Sequence, residues 1–290
     1  MAQHRTGVLR ICLILALAFT VGAATLQAAT FKKVDVANAI ETDLNAVNSN
    51  NVAVGDFLDQ NGAQHGFALV NGSIKKFDVP GSLGTTARGI NDSNKVVGWY
   101  VDSNGTQHGY VYSGGTFTTL DPANTILTNA WGINNAGTIV GTYVDGTSGV
   151  YHGFTLSNGT YTTFDAPNGA LLTQILGINK NNQMVGIYFD SGSVQHGFAL
   201  NGSNFVDITF PGAGVTAADK INDSGNLIGL YGATSSGPFS GYILKGGRTF
   251  TTITFPGSSE TRCRGINNAN IVAGRYTDSN AVIHGFGLIP

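Results

Sequence analysis

From residue 30 to residue 290 the apolar positions do not follow the 3.6-residue period of a helix. They come in short runs, rich in β-branched and aromatic residues and broken by Gly, Asn and Asp, which is the pattern of strands. The segment GINNAGTIVGTYVD (132–145) is typical, and GINDSNKVVGWYVD (89–102) is a near copy of it. Around the first, the runs 128–134, 138–144, 152–156 and 161–165 read as four strands separated by the turn NNAG, a loop and the dipeptide Asn158-Gly159. Asn71-Gly72, Asn158-Gly159 and Asn201-Gly202 suit two-residue hairpins, because a type I′ turn needs positive φ at both central residues.

The unit is written six times. The Asn of the Gly-Ile-Asn phrase recurs as Asn48, Asn91, Asn134, Asn179, Asn222 and Asn267, at spacings of 43, 43, 45, 43 and 45. Seven residues later stands a glycine (Gly55, Gly98, Gly141, Gly186, Gly229, Gly274), which suggests close blade packing. Nine residues later stands an aromatic (Phe57, Tyr100, Tyr143, Tyr188, Tyr231, Tyr276), read as core-filling, and six before the Asn stands a threonine. A Gly-aromatic pair follows in every copy, as in Gly153-Phe154. A repeat of about 40–45 residues holding four antiparallel strands is a propeller blade. Residues 30–35 (TFKKVD) match the fourth strand of another copy (TYTTFD, 160–165), whereas the sixth copy reaches Pro290 after its third. The expected fold is therefore all-β, a six-bladed β-propeller over residues 30–290. The N-terminal strand (30–36) would close the ring by joining the last blade (267–290), since an open solenoid would need capping repeats instead.

Composition changes the picture at the start of the chain. Arg5 and Arg10 precede the apolar run 11–21, and Ala28 and Ala29 follow, so residues 1–29 read as a signal peptide. The apolar run is shorter than the roughly 20 residues a bilayer span requires. The protein is thus expected to be secreted, extracellular or periplasmic, with no transmembrane span once the signal is cleaved. Cys263 would be the one remaining cysteine, so no intrachain disulfide is expected, and a lone apolar cysteine reads as a small core residue. The net charge of −2 and the absence of a basic stripe argue against nucleic acid as a partner.

The phrases GIN-xx-G-x-VVG and HGF resemble the bacterial extracellular repeat proteins of the HAF family, and the resemblance covers essentially all of residues 30–290. This chain reads His-Gly-Phe where that family commonly has His-Ala-Phe. The resemblance implies export and a propeller-like fold, and it implies no chemistry.

Two sets of residues could carry function. The loop after the second strand pairs an acid with an imidazole: Asp59/His65, Asp102/His108, Asp145/His152, Asp190/His196 and Asp278/His284. Such pairs could serve general base catalysis or a metal, but copy five has Ala233 and Ser240 instead, and both partners vanish together. Five equivalent sites on a ring cannot converge on one substrate. The pairs therefore read as structural, each acid bonding its histidine or both ordering the hairpin. The loops resemble calcium-binding loops only faintly, with one acid each where calcium wants several, and Asx-turns explain them better. No cofactor or metal is expected.

The second set lies where the repeat is broken. Three residues before the anchoring Asn the copies read Asn45, Arg88, Trp131, Leu176, Asp219 and Arg264; two residues earlier they read Asp43, Thr86, Asn129, Gln174, Ala217 and Arg262. Variability with period two along the first strand would ring the mouth of a central channel with guanidiniums, an indole, acids and amides. Such a ring suits a polar or anionic small molecule or a sugar; the bland alternative is drift at exposed positions. The favoured reading is a non-enzymatic binding module for a small polar molecule, a carbohydrate or an envelope protein. The alternatives are a propeller lyase or hydrolase with its site at the channel mouth, and a purely structural surface protein; propellers host all three.

Overall fold

A computed structural model describes residues 29–167 and 170–290. The expected signal peptide lies almost wholly outside the described residues. Among those described there are twenty-four strands and no helix, and so no helix long enough to cross a membrane.

The strands fold as six four-stranded antiparallel meanders. In the third copy they are Thr125–Ile133, Ile139–Asp145, Tyr151–Ser157 and Thr160–Phe164, close to the expected runs. Sequence neighbours pair, so the hydrogen bonds within a meander close over short loops. The sixth meander takes its fourth strand from the other end of the chain, because Thr30–Val34 pairs antiparallel with Ile283–Ile289, Thr30 opposite Ile289. Single parallel bridges tie a third strand to the next first strand at Gln64/Gly84, Gln107/Leu127, Tyr151/Leu172 and Ile283/Glu41. The fifth meander forms a backbone-paired sheet of its own.

The anchoring asparagines connect the meanders. Each side-chain oxygen accepts backbone N–H groups of its own turn; Asn134 Oδ1, for example, accepts from Thr138 N at 3.0 Å. Each Nδ2 donates to the backbone carbonyl of the corresponding Asn one copy on, from Asn48 to Asn91, then to Asn134, Asn179, Asn222 and Asn267. Asn267 Nδ2 in turn donates to the carbonyl of Asn48 at 3.1 Å. All six residues are buried, 3–4% exposed, so each amide is a satisfied group whose removal strands donors and acceptors on two copies.

Apolar burial lies between meanders. Phe67, Tyr110, Phe154, Phe198, Tyr242 and Phe286, the aromatics of the Gly-aromatic pairs, are all 0% exposed. At the sixth position Phe286 packs with Ile228 and Ile243 of the preceding meander and with Cys263. Cys263 is a core residue as expected, and burial pushes its thiol pKa far up. The repeated glycine seven residues after the Asn has a different role from the expected one. A Cβ on Gly141 would stand 2.1 Å from the carbonyl oxygen of Asn129 and 2.5 Å from the Phe154 ring, both in its own meander. Contact between meanders falls instead at the Gly of Gly-Ile-Asn: a Cβ on Gly89 would lie 3.1 Å from Gly132 Cα.

Three further expectations need correction. Asn71-Gly72 and Asn158-Gly159 do have positive φ at both positions, but Asn201 is the last strand residue opposite Asn204, so the turn there is Gly202-Ser203. In the aromatic column, only Phe57 and Tyr276 are buried. Tyr100, Tyr143, Tyr188 and Tyr231 are partly exposed, because their hydroxyls reach Thr119, Thr163, Asp207 and Thr252 at the surface.

The Asp/His pairs also differ. His65, His108 and His152 bond through Nδ1 to Asp78, Asp121 and Asp165, each thirteen residues on at the end of the fourth strand, at 2.7–2.9 Å; His284 bonds Asp35 likewise at 2.9 Å. The loop acids Asp59, Asp102 and Asp278 stand 3.4–3.7 Å from Nε2 on the far side of the ring. Asp145 does not pair with His152; its loop is one residue longer, and it accepts from Thr147 and Ser148. Only His196 takes its loop acid, Asp190, as the close partner, at 2.9 Å, since Thr209 replaces the fourth-strand acid. The loop acids chiefly cap their own turns, as Asp59 does by accepting from Asn61 N and Ala63 N. These bonds hold the carboxyls of all five below the usual range.

Replacing Asn134 by Ala should lower stability by about 3 kcal/mol, read as a lower urea midpoint, whereas Asn104→Ala, at an exposed turn, should leave it within about 0.5 kcal/mol. Asp121→Ala and His108→Ala should each cost about 1 kcal/mol and be non-additive in a double-mutant cycle. Full additivity would mean that the 2.7 Å contact contributes nothing.

Candidate functional site

The six broken positions share one backbone feature. Pairing of first and second strands slips between Leu44 and Ala46, Ala87 and Gly89, Ala130 and Gly132, Ile175 and Gly177, Ala218 and Lys220, and Cys263 and Gly265. The residue skipped each time is Asn45, Arg88, Trp131, Leu176, Asp219 or Arg264. Each is thus a β-bulge, whose extra residue leaves the ladder and is re-aimed. All six line one cavity of about 290 Å³.

Of the second row, Gln174, Ala217 and Arg262 line the same cavity. Asp43 and Asn129 do not. Asp43 is 5% exposed and held by Arg275 at 3.1 Å, with Glu41 on the same guanidinium at 3.2 Å. Asn129 is buried and accepts from Gln107 Nε2. Thr86 is fully buried.

Copy five adds a loop to the cavity wall. In place of the Asp/His hairpin its loop brings Ser235, Ser236 and Phe239 to the cavity, and Phe239 is buried against Val215, Ala217 and Leu230. The Arg262 guanidinium lies 4.6 Å over the Phe239 ring and bonds Glu260 at 2.5 Å, while Glu260 accepts from Phe239 N. The joint loss of Asp and His in this copy was the sequence sign that its loop does something else.

The repeat pattern alone does not single out Lys220. It stands where four copies have the Gly of Gly-Ile-Asn and the first has Ala46, and that change from a small residue is the visible signal. Its ammonium donates to the carbonyls of Trp131, at 2.7 Å, and Leu176 in the two preceding copies. Both are bulge residues, whose carbonyls have left the regular ladder.

The electrostatics are uneven. Arg88 Nη1 donates to Asn45 Oδ1 at 3.0 Å and its guanidinium lies 5.3 Å from the Trp131 ring centre. Asn45 in turn donates to buried Asp56 at 2.6 Å. Arg264 approaches Asp219 only to 3.5 Å. Burial raises the Asp219 carboxyl, against the pull of Arg264 and Lys220, and lowers Arg264 to about 10. Trp131 Nε1, Asp219 Oδ2, Arg88 Nε and Arg264 Nε are buried without a hydrogen-bond partner. Unsatisfied polar atoms of both signs, gathered on one cavity, are what a polar ligand would complete. Among the described residues no group of three His, Cys, Asp or Glu is placed to hold a metal ion.

The fold recurs in known β-propellers. The chain is similar to the fungal lectin from Aleuria aurantia, described as a six-bladed β-propeller with a novel mode of fucose recognition (11% identity, TM-score 0.53, covering 89% of this chain and 98% of that one). It is also similar to TolB from Acinetobacter baumannii (12%, TM-score 0.56, 82% and 63%) and to XC5397 from Xanthomonas campestris, described as a gluconolactonase (12%, TM-score 0.51, 91% of each). No protein-family model and no curated protein sequence matches. At these identities the likeness establishes the β-propeller fold alone.

Burial pushes the Lys220 ammonium down to about 7, opposed by Asp219. A lysine in the unfolded chain titrates near about 10.4, so between these values the unfolded state binds more protons and stability rises with pH. The melting temperature should therefore climb from about pH 7 to about pH 9, and Lys220→Met should flatten that climb. An unchanged slope in the variant would exclude Lys220 as its source.

Proposed function

We propose that this chain is an exported, six-bladed β-propeller of the HAF repeat type that acts as a non-enzymatic binding module, taking a small polar molecule or a carbohydrate at the mouth of its channel. The carrying observation is the convergence of six chemically unlike bulge residues on one cavity with unpaired buried polar atoms. Drift at exposed positions does not account for them, since Asn45, Leu176 and Asp219 are buried. Closure into a ring is supported by the pairing of Thr30–Val34 with Ile283–Ile289 and by the return of the asparagine bonds from Asn267 to Asn48. Export is supported by the pattern of residues 1–29, and kinship with the HAF proteins by the GIN and HGF phrases.

The test is a thermal-shift screen of the purified protein against neutral sugars, sugar acids, organic acids and divalent metals. A specific stabiliser should raise the melting temperature, because it binds only the folded state. Trp131→Ala should abolish that shift while its own melting temperature stays within a few degrees of wild type. Full ligand binding by this variant would remove the cavity from the reading, and no shift with any compound would favour the structural alternative.

A further inference from the structure

We infer that the ligand of this cavity is an acidic monosaccharide, a uronic or aldonic acid whose carboxylate lies between Arg88 and Arg264 while Asp219 accepts a hydroxyl. This rests on the binding reading above and commits it to one class of ligand.

Charge narrows the class first. Arg88, Lys220, Arg262 and Arg264 line the cavity with Asp219 as the one carboxylate, in a chain whose net charge is −2. Two of these cations are already occupied, Arg262 by Glu260 and Lys220 by two carbonyls. Arg88 has no carboxylate within ion-pair distance; its partners are the neutral Asn45 amide and the Trp131 ring. Arg264 has Asp219 alone, at 3.5 Å. Asp56 and the Glu41–Asp43–Arg275 cluster lie behind the lining and are bonded among themselves or to Asn45 and Gln64. Two guanidiniums thus line one space whose single lining carboxylate, Asp219, is held loosely by Arg264 alone, and guanidinium geometry favours a planar carboxylate taken in bidentate fashion.

Hydrogen bonding narrows it further. A fully ionised inorganic anion such as sulfate would satisfy the arginines but leave Asp219 Oδ2 without a donor. A neutral sugar would donate to Asp219 but leave Arg88 with no carboxylate nearer than Asp56, which lies beyond the Asn45 amide. A polyhydroxy acid does both, and its hydroxyl oxygens can also accept from the unpaired Trp131 Nε1. Leu176, Leu230 and Phe239 line the same space and match the C–H face of a sugar ring. The volume of about 290 Å³ sits at the small end of ligand pockets, which start at about 300 Å³, and suits one ring rather than an oligosaccharide.

Calorimetric titration with D-glucuronate, D-galacturonate and D-gluconate, against glucose, galactose, methyl glucuronate ester and inorganic phosphate, tests this. At least one acid should bind about tenfold or more tightly than its neutral counterpart, a gap of about 1.4 kcal/mol. Its affinity should fall as salt rises from about 50 to about 500 mM, which screens the ion pairs. Arg264→Gln and Arg88→Gln should erase the gap between acid and neutral sugar; the wild-type ligand series and salt series keep the test meaningful should either variant fold poorly. Equal binding of the acid and its neutral counterpart would overturn this inference and leave the binding reading standing. Phosphate binding as tightly as the acids would overturn the sugar component. Binding of none of these compounds, with no hit in the thermal-shift screen either, would defeat the binding reading itself.

Discussion

The structure depends on one repeated hydrogen bond, the donation from an asparagine side chain to the same backbone carbonyl one copy further on. Each amide does two jobs at once. Its oxygen stabilises the turn that follows its own first strand, and its nitrogen sets the distance to the neighbouring meander. Because the residues are buried, no water can replace either bond, and a copy whose turn is misformed also loses its neighbour. The bond from Asn267 to Asn48 spans 219 residues of sequence and is made by the same chemistry as the other five. It joins the two ends of the repeat without any special closing element beyond the strand Thr30–Val34.

With the turns held in this way, the first strands are brought close enough that only small groups fit between them, as at Gly89 against Gly132. The bulge just before that position resolves the crowding. It takes one residue per copy out of the ladder and turns it towards the channel. Tight backbone packing and a variable ring of side chains are thus two consequences of one distortion, and the scaffold can be uniform while the cavity is not.

Copy five departs from uniformity most. Its loop gives up the Asp and His that order the other hairpins and packs Phe239 at the mouth instead. Its first strand has Lys220 where most copies have a glycine, and the ammonium takes up carbonyls of the bulge residues of copies three and four. The same meander shares no strand ladder with its neighbours, although Thr261 N of the sixth copy donates to Phe239 O at 2.9 Å.

The strand pattern, the number of copies, the hairpin turns at Asn71 and Asn158 and the six variable positions could all be read from the sequence. Each depends on local rules: side chains alternate along a strand, Asn-Gly accepts positive φ, and a repeat displays its own register. Only the tertiary structure decided what happens between copies. That Asp121 rather than Asp102 is the close partner of His108 follows from pairing of the third and fourth strands, although the thirteen-residue spacing was there to be seen. That Asp43 and Asn129 lie off the cavity while Gln174, Ala217 and Arg262 at the same repeat position line it goes with their separate partners, Arg275 for Asp43 and Gln107 for Asn129. The reach of Lys220 across 89 residues to Trp131 had no local signature beyond a missing glycine. Contacts of this kind come from packing one copy against another, and a residue's own neighbours in the chain carry no information about them.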